Sequence, residues 1–240
     1  MFDTRKYSLM LAEMFYGKSW IHPYRIYENR ISDFLKPNSV MLDAGCGRCF
    51  PTLRKLAGGS KHLFGLDICK FDCSEKTHLL DLINADLTEM AFKNGTFDLV
   101  ISRSVLEHIE NPAKMCGEIY RVLKPGGQYV FLTPNLFDYS TICAKIVPNR
   151  FHAKIVKATE GRNERDIFPT YYRLNSEEHI KEIVRTVGFR SYRLEYFGQY
   201  PSYFLFNPML FLIGSLYDKL ICKAEIFKKL RSWILAILEK

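Results

Sequence analysis

Five short apolar runs pattern the first 135 residues: Val40–Leu42, His62–Leu66, Leu79–Asn84, Phe97–Ser102 and Gln128–Thr133. Each is too short for a helix and is bounded by turn residues, as a strand buried on both faces reads. Helical patterns lie between and beyond them. One opens near Pro51; another is capped by Asn111-Pro112, runs to Leu123 with Ile119, Val122 and Leu123 on one side, and is broken by Pro125-Gly126-Gly127. A third has Ser176 as N-cap, Glu177 and Glu178 in its first turn, and Gly188 just past Val187. Phe189–Tyr196 alternates as a strand, and Trp233–Leu238 reads as the last one. Strands alternating with helices predict an α/β fold around a mostly parallel sheet.

Residues 1–36 read as two helices. Leu9, Met10, Glu13 and Met14 recur along the first, and Ile26, Arg30, Ile31 and Leu35 along the second. The plainer reading is an amphipathic lid packed on the sheet, with Trp20 of the connecting Trp20-Ile21-His22-Pro23-Tyr24 in the core. Two later stretches exceed what the alternation needs. Pro134–Leu174 is basic and aromatic, with Arg150, His152, Arg162, Arg165, Tyr171, Tyr172 and Arg173, and carries Asp166. Long insertions in compact domains usually serve function, here as a cap whose arginines grip phosphate or carboxylate; the alternative is a solvated lid with its aromatics packed down. Gly198–Arg231 contains the apolar Tyr203–Tyr217, interrupted at Asn207-Pro208 and followed by Lys219, Lys223, Lys228, Lys229 and Arg231. It is too short for a spanning helix. It reads as an interfacial helix with a basic flank, suited to a lipid-linked substrate, or as a hydrophobic lid.

Bulk properties narrow the setting. At 240 residues and 48% hydrophobic, the chain can bury one full core. The expected organisation is one domain over 1–240: a lid at 1–36, a core at 38–135, and insertions 135–174 and 198–231 forming a substrate cap. No secretory signal is visible in the first 33 residues, and seven irregularly placed cysteines suit a reducing compartment, so a cytoplasmic protein is expected, with peripheral contact at the inner membrane face through 203–231 as one reading. A net charge of +8 with dispersed lysines is mild, and no nucleic-acid partner is expected.

The chemistry concentrates at Ser39–Cys49, where a strand empties through Asp43 into Gly45 and Gly47. Glycines there let a ligand lie against the main chain. A dinucleotide fingerprint needs a third glycine where Phe50 stands, and no Gly-Lys-Ser/Thr makes a P-loop. Asp67 closes the second strand about 20 residues on, placed to accept both hydroxyls of a ribose. Asp86 closes the third, within reach of an adenine amino group or else as an ordinary turn residue. Ser102 ends the fourth, and His108 follows on a short helix as a candidate general base. Cys46-x-x-Cys49 and Cys69-x-x-x-Cys73 have zinc-compatible spacing, but a metal at Cys46 would occupy the turn. No metal is expected.

Leu-Asp-Ala-Gly-Cys-Gly (42–47), Gly-Leu-Asp (65–67), Ala-Asp-Leu-Thr-Glu-Met-Ala-Phe (85–92), Phe-Asp-Leu-Val-Ile-Ser (97–102), Val-Leu-Glu-His-Ile (105–109) and Leu-Lys-Pro-Gly-Gly (123–127) together resemble a class I S-adenosylmethionine-dependent methyltransferase of the small-molecule type. The resemblance implies a Rossmann-like seven-stranded, mostly parallel sheet with its last strand antiparallel and S-adenosyl-L-methionine across the strand ends. It implies Asp43, Gly45, Cys46, Gly47, Asp67, Ile68, Asp86, Leu87 and Ser102 as cofactor-binding residues. His108, His152 and Asp166 are the acid or base candidates, and His22 or Tyr24 closes over the donor in the sharper reading of the lid. Cys49 stands where the family often has a third small residue. The run Arg165–Arg173 looks like one in bacterial methyltransferases encoded with glycan or natural-product pathways. The expected acceptor is a sugar, glycan, lipid-linked or other hydroxylated small molecule methylated on oxygen; carbon methylation of a quinone or polyketide-like ring, or a non-catalytic binding protein on the same fold, are the alternatives.

Overall fold

The apolar runs become neighbouring strands of one sheet. The structure is a computed structural model that describes residues 4–17, 20–56, 62–72, 80–146 and 168–240. Its strands are β1 (Val40–Ala44), β2 (His62–Asp67), β3 (Leu80–Asn84), β4 (Phe97–Arg103), β5 (Leu123–Pro134), β6 (Ser191–Phe197) and β7 (Trp233–Glu239), in the order β3-β2-β1-β4-β5-β7-β6. β1 pairs in parallel with β2 and with β4, β2 with β3, and β4 with β5. β7 runs the other way. Gly126 donates to the Lys240 carbonyl and Lys240 to the Gly127 carbonyl, while Asn135 donates to Ser232, so the start of β5 meets the end of β7. Arg190 donates to Glu239, which brings the start of β6 to the same end of β7. The chain leaves β1 toward β2 on one side and returns to β4 on the other. That reversal opens a crevice at the carboxyl ends of β1 and β4, where ligands of such sheets bind.

By contact density the chain divides into two compact units. The first spans 27–133, 170–195 and 235–240; the second spans 1–26, 134–169 and 196–234. The first holds the body of the sheet, most of α2 (Pro23–Phe34), α3 (Pro51–Leu56), α4 (Pro112–Val122) and α6 (Glu177–Val187). Met41, Leu42, Phe97, Val100, Ile101 and Phe131 are fully buried in its core. The expected caps form: the Asn111 side chain accepts from Lys114 N–H with Pro112 next, Ser176 accepts from His179 N–H, and Gly188 closes α6 in the left-handed conformation.

The second unit holds α1 (Thr4–Tyr16), α5 (Tyr139–Ile146) and α7 (Pro208–Lys223). α1 packs on α7, and the Tyr16 hydroxyl donates to Asp218 Oδ2 at 3.1 Å. Gly198 has no room for a Cβ, which would run into Cys222 Sγ and Asp218 Oδ1. Trp20 meets Tyr16, Tyr200 and His22 edge-on, His22 meets Tyr24, and Tyr24 meets Trp233. Asn135 donates to the carbonyls of Lys229 and Arg231 at 2.7 Å each, and Ser232 donates to the buried Asp138 at 2.9 Å.

Two expectations need correction. β5 begins at Leu123 and not at Gln128: the Pro-Gly-Gly segment that breaks the helix is carried into the strand by its bonds to Lys240, with a register irregularity against β4 between Phe97 and Leu99. In α1 the stripe expected to pack inward faces out. Ser8 and Tyr16 are buried, whereas Leu9, Met10 and Met14 are all more than half exposed, because Tyr16 fixes the inward side through Asp218.

Candidate active site

The site assembles at the carboxyl ends of β1, β2 and β4, all within the first unit. As β1 ends, Gly45 takes φ +85° and sits so close to Val105, in the segment after β4, that a Cβ would collide with that side chain. The Gly45 and Cys46 N–H groups both donate to the Leu66 carbonyl, at 2.7 and 3.2 Å, tying the turn to β2. Beneath it, Gly65 leaves room for Cys46 Sγ, Leu53 and Leu82, each within 3 Å of where a Cβ would stand. Gly47 takes φ +74° and faces open space where a Cβ would project.

Asp67 locks turn and strand together. Its Oδ2 accepts Gly47 N–H at 2.8 Å and its Oδ1 accepts Cys69 N–H at 2.8 Å. Its carbonyl accepts from the Asn84 side chain at 2.9 Å and from Ala85 N–H at 3.1 Å, so β3 braces it from the other side. A carboxylate has about four acceptor positions, so each oxygen keeps capacity for a ligand hydroxyl. Ile68 beside it is 66% exposed, an apolar surface at a strand end suited to a purine face. Leu87 is buried. Asp86 is exposed, and its Oδ1 accepts Thr88 N–H at 2.7 Å, the turn role that competes with a contact to adenine.

The charges behind the turn are unusual. Asp43 is buried, and desolvation pushes its carboxyl up to about 7; Arg103 opposes the shift and Asp67 adds to it. Tyr27 of α2 is also within electrostatic reach of Asp43 and Arg103. It is fully buried, its hydroxyl has no hydrogen-bond partner among the described residues, and burial raises it well above the usual phenol value. Arg103 pairs with Glu28 at 3.3 Å, and Glu28 with Lys55 at 2.6 Å. Sequence reasoning missed Tyr27. The i, i+4 pairing of Tyr27 with Ile31, both buried, was the available signal.

Ser102 is corrected. Its hydroxyl is buried, donates to the Ala44 carbonyl at 2.8 Å and accepts from Tyr129 at 3.2 Å, so its proton is used to join β4 to β1. Burial, then Asp43 and Asp67, push the Cys46 thiol up, and it packs as a neutral group. Cys49 is exposed, Cys73 lies outside the described residues, and among those described no three His, Cys, Asp or Glu side chains gather as a metal site requires.

His108 closes the 3-10 turn Leu106–His108, with its N–H on the Val105 carbonyl at 2.9 Å. Since Val105 abuts Gly45, this turn borders the glycine crevice. The Tyr171 and Tyr172 N–H groups donate to the Glu107 carbonyl at 2.7 and 3.2 Å, and Arg173 to that of Glu110 at 2.6 Å. Tyr172 holds a strained φ of +52°. The end of the Arg165–Arg173 run is therefore bonded to the turn carrying His108. His152 and Asp166 lie outside the described residues.

These residues fit S-adenosylmethionine: an open glycine turn, a braced acid for ribose, and an exposed apolar neighbour for the purine. Residues 42–131 match the family model described as a methyltransferase domain. The chain is 27% identical over 184 residues to 24-methylenesterol C-methyltransferase 2 of Oryza sativa, covering 72% of this chain and 48% of that one. It is 30% identical over 137 residues to phosphoethanolamine N-methyltransferase 2 of Caenorhabditis elegans, covering 48% and 29%. The chain thus spans half or less of these relatives' own length. Among solved structures it resembles a SAM-dependent methyltransferase from Archaeoglobus fulgidus, with TM-score 0.57, 18% identity, and 98% and 100% of the two chains covered. It also resembles Haemonchus contortus phosphoethanolamine N-methyltransferase 2 bound to S-adenosyl-L-methionine, with TM-score 0.57, 18% identity, and 100% and 60% covered.

Proposed function

We propose that this chain, which carries a class I S-adenosylmethionine-dependent methyltransferase domain, transfers a methyl group to an oxygen of a sugar or other hydroxylated small molecule. The observation that carries methyl transfer is the joint between Asp67 and Gly47, which fixes a ribose acceptor and a glycine cradle as one piece. S-adenosylmethionine supplies, when bound, a methyl group already activated by its sulfonium. The protein's part is therefore mainly to hold the reacting atoms in line, which can supply much of the acceleration. Asp67 and the Gly47 segment would hold the adenosine end, with the buried Asp43 carboxyl behind the turn. His108, on the bordering 3-10 turn, would take the acceptor's proton. Support for a hydroxylated acceptor comes from the Arg165–Arg173 run, which looks like one in bacterial methyltransferases encoded with glycan or natural-product pathways and whose Tyr171–Arg173 end is bonded to that turn.

A carbon acceptor is the second reading, favoured by the sterol C-methyltransferase among the relatives and by the apolar 203–217 stretch. Incubation with isotope-labelled methyl donor and fractionated glycans, lipids and small metabolites, followed by NMR of any labelled product, tests both. A methoxyl signal supports the oxygen reading and a C-methyl signal the second. Donor binding with no label transferred to any fraction contradicts the enzyme reading.

A further inference from the structure

We propose that the outer face of α7, with α1 beside it, seats this protein in the plane of an anionic lipid surface. α7 is apolar nearly all round. It turns Phe211, Gly214, Ser215, Asp218 and Ile221 inward and leaves Met209, Ile213, Leu216 and Leu220 more than half exposed. At 3.6 residues per turn these four form one stripe opposite the buried side. α1, packed on α7 in the same unit, leaves Met10 and Met14 exposed. The turn that follows α7, Glu225–Leu230, leaves Ile226 85% exposed. A continuous apolar stripe of this kind marks an interaction site.

Charge names the occupant. Lys223 falls just to one side of the stripe and Lys228 follows it in the chain, while Lys219 holds its Nζ over the Tyr16 ring at 4.4 Å. The nearby acids are already engaged: Asp218 is buried on Tyr16 with Lys219 beside it, and Glu225 is ion-paired first with Arg231, at 2.6 Å. A second copy would bring the same lysines against these and be repelled, whereas anionic headgroups match them. α7 has 16 residues, and no described helix is long and apolar enough to cross a membrane, so the contact lies along the surface. The inference rests on this face and its charge, whichever atom is methylated.

The test is flotation with vesicles of phosphatidylcholine containing about 30% phosphatidylglycerol, against phosphatidylcholine alone. The folded state is checked by thermal melting, so that failure here leaves the donor-binding reading untouched. The wild type is expected to float with the anionic vesicles, about tenfold less with the neutral ones, and less again at high salt. I213S/L220S should lose about tenfold in binding with an unchanged melt. If that variant melts early, the surface variant K223E/K228E decides, with the same loss expected. Equal partition onto both vesicle types, no flotation, full binding by the deciding variant, or a wild-type dimer in sedimentation that I213S/L220S dissolves would each overturn the proposal.

Discussion

The Oδ2 of Asp67 accepts the backbone N–H of Gly47 at 2.8 Å, so the acid that ends β2 is bonded to the turn that leaves β1. Two features that spacing places 20 residues apart are one rigid object in space. A ligand that uses either must meet both.

Asp67→Ala should weaken S-adenosylmethionine binding about 100-fold, since charged hydrogen bonds to two hydroxyls disappear, while Asp67→Asn should lose less. The fold should survive because Asp67 is only partly buried, at a strand end. Calorimetric titration of both variants reads the order; equal affinity for all three proteins would remove Asp67 from the site.

Gly45 and Gly47 should separate stability from binding. Both have positive φ, so alanine costs roughly 1–2 kcal/mol at either. At Gly45 the added methyl also collides with Val105, which raises the cost by about 1–3 kcal/mol. At Gly47 it meets nothing and projects into the space assigned to the donor. Denaturant melts should therefore rank Gly45→Ala as the less stable, and the folded Gly47→Ala should bind donor poorly; the reverse ranking would contradict the geometry.

Ser102→Ala leaves the Ala44 carbonyl and the Tyr129 hydroxyl short of a partner in a buried setting. A loss of about 1–3 kcal/mol in urea unfolding is expected, with donor affinity unchanged. A selective loss of affinity would return Ser102 to the ligand.

Burial lifts the Asp43 carboxyl from the ordinary carboxylate value to about 7. Its folded value lies above its unfolded one, so its stabilising contribution is complete at low pH. That contribution fades as pH climbs from about 4 to 7, by at most about 4 kcal/mol. Burial also raises Asp138 and Asp218, which slope the same way, so the informative quantity is the difference between wild type and Asp43→Asn. That difference in thermal stability should grow in favour of the asparagine variant up to about pH 7 and then level off. A flat difference would mean that Asp43 ionises normally.

Much of the sheet was legible because strands buried on both faces read as unbroken apolar runs, and β1, β2 and β4 fall within a residue or two of them. The turn was legible because Gly45 and Gly47 have few other uses there. Distant pairing was not. Pro125-Gly126-Gly127 reads as a breaker, and only the bonds to Lys240 make it strand. The hydroxyl of Ser102 sits where a ligand-facing group would by sequence position, yet Ala44 and Tyr129 claim it. The stripe on α1 had the right period, but period cannot say which side Tyr16 will anchor. Nor does local pattern bring Tyr171 and Tyr172 to Glu107, some 64 residues away, since that contact has no signature in either segment alone.

The most direct measurement is calorimetric titration of the intact protein with S-adenosylmethionine and with S-adenosylhomocysteine, with an oxidised nicotinamide dinucleotide as control. Saturable binding of both sulfur compounds at one site per chain, and none of the dinucleotide, is expected. Silence toward both, or equal binding of all three, would contradict a methyl-donor site.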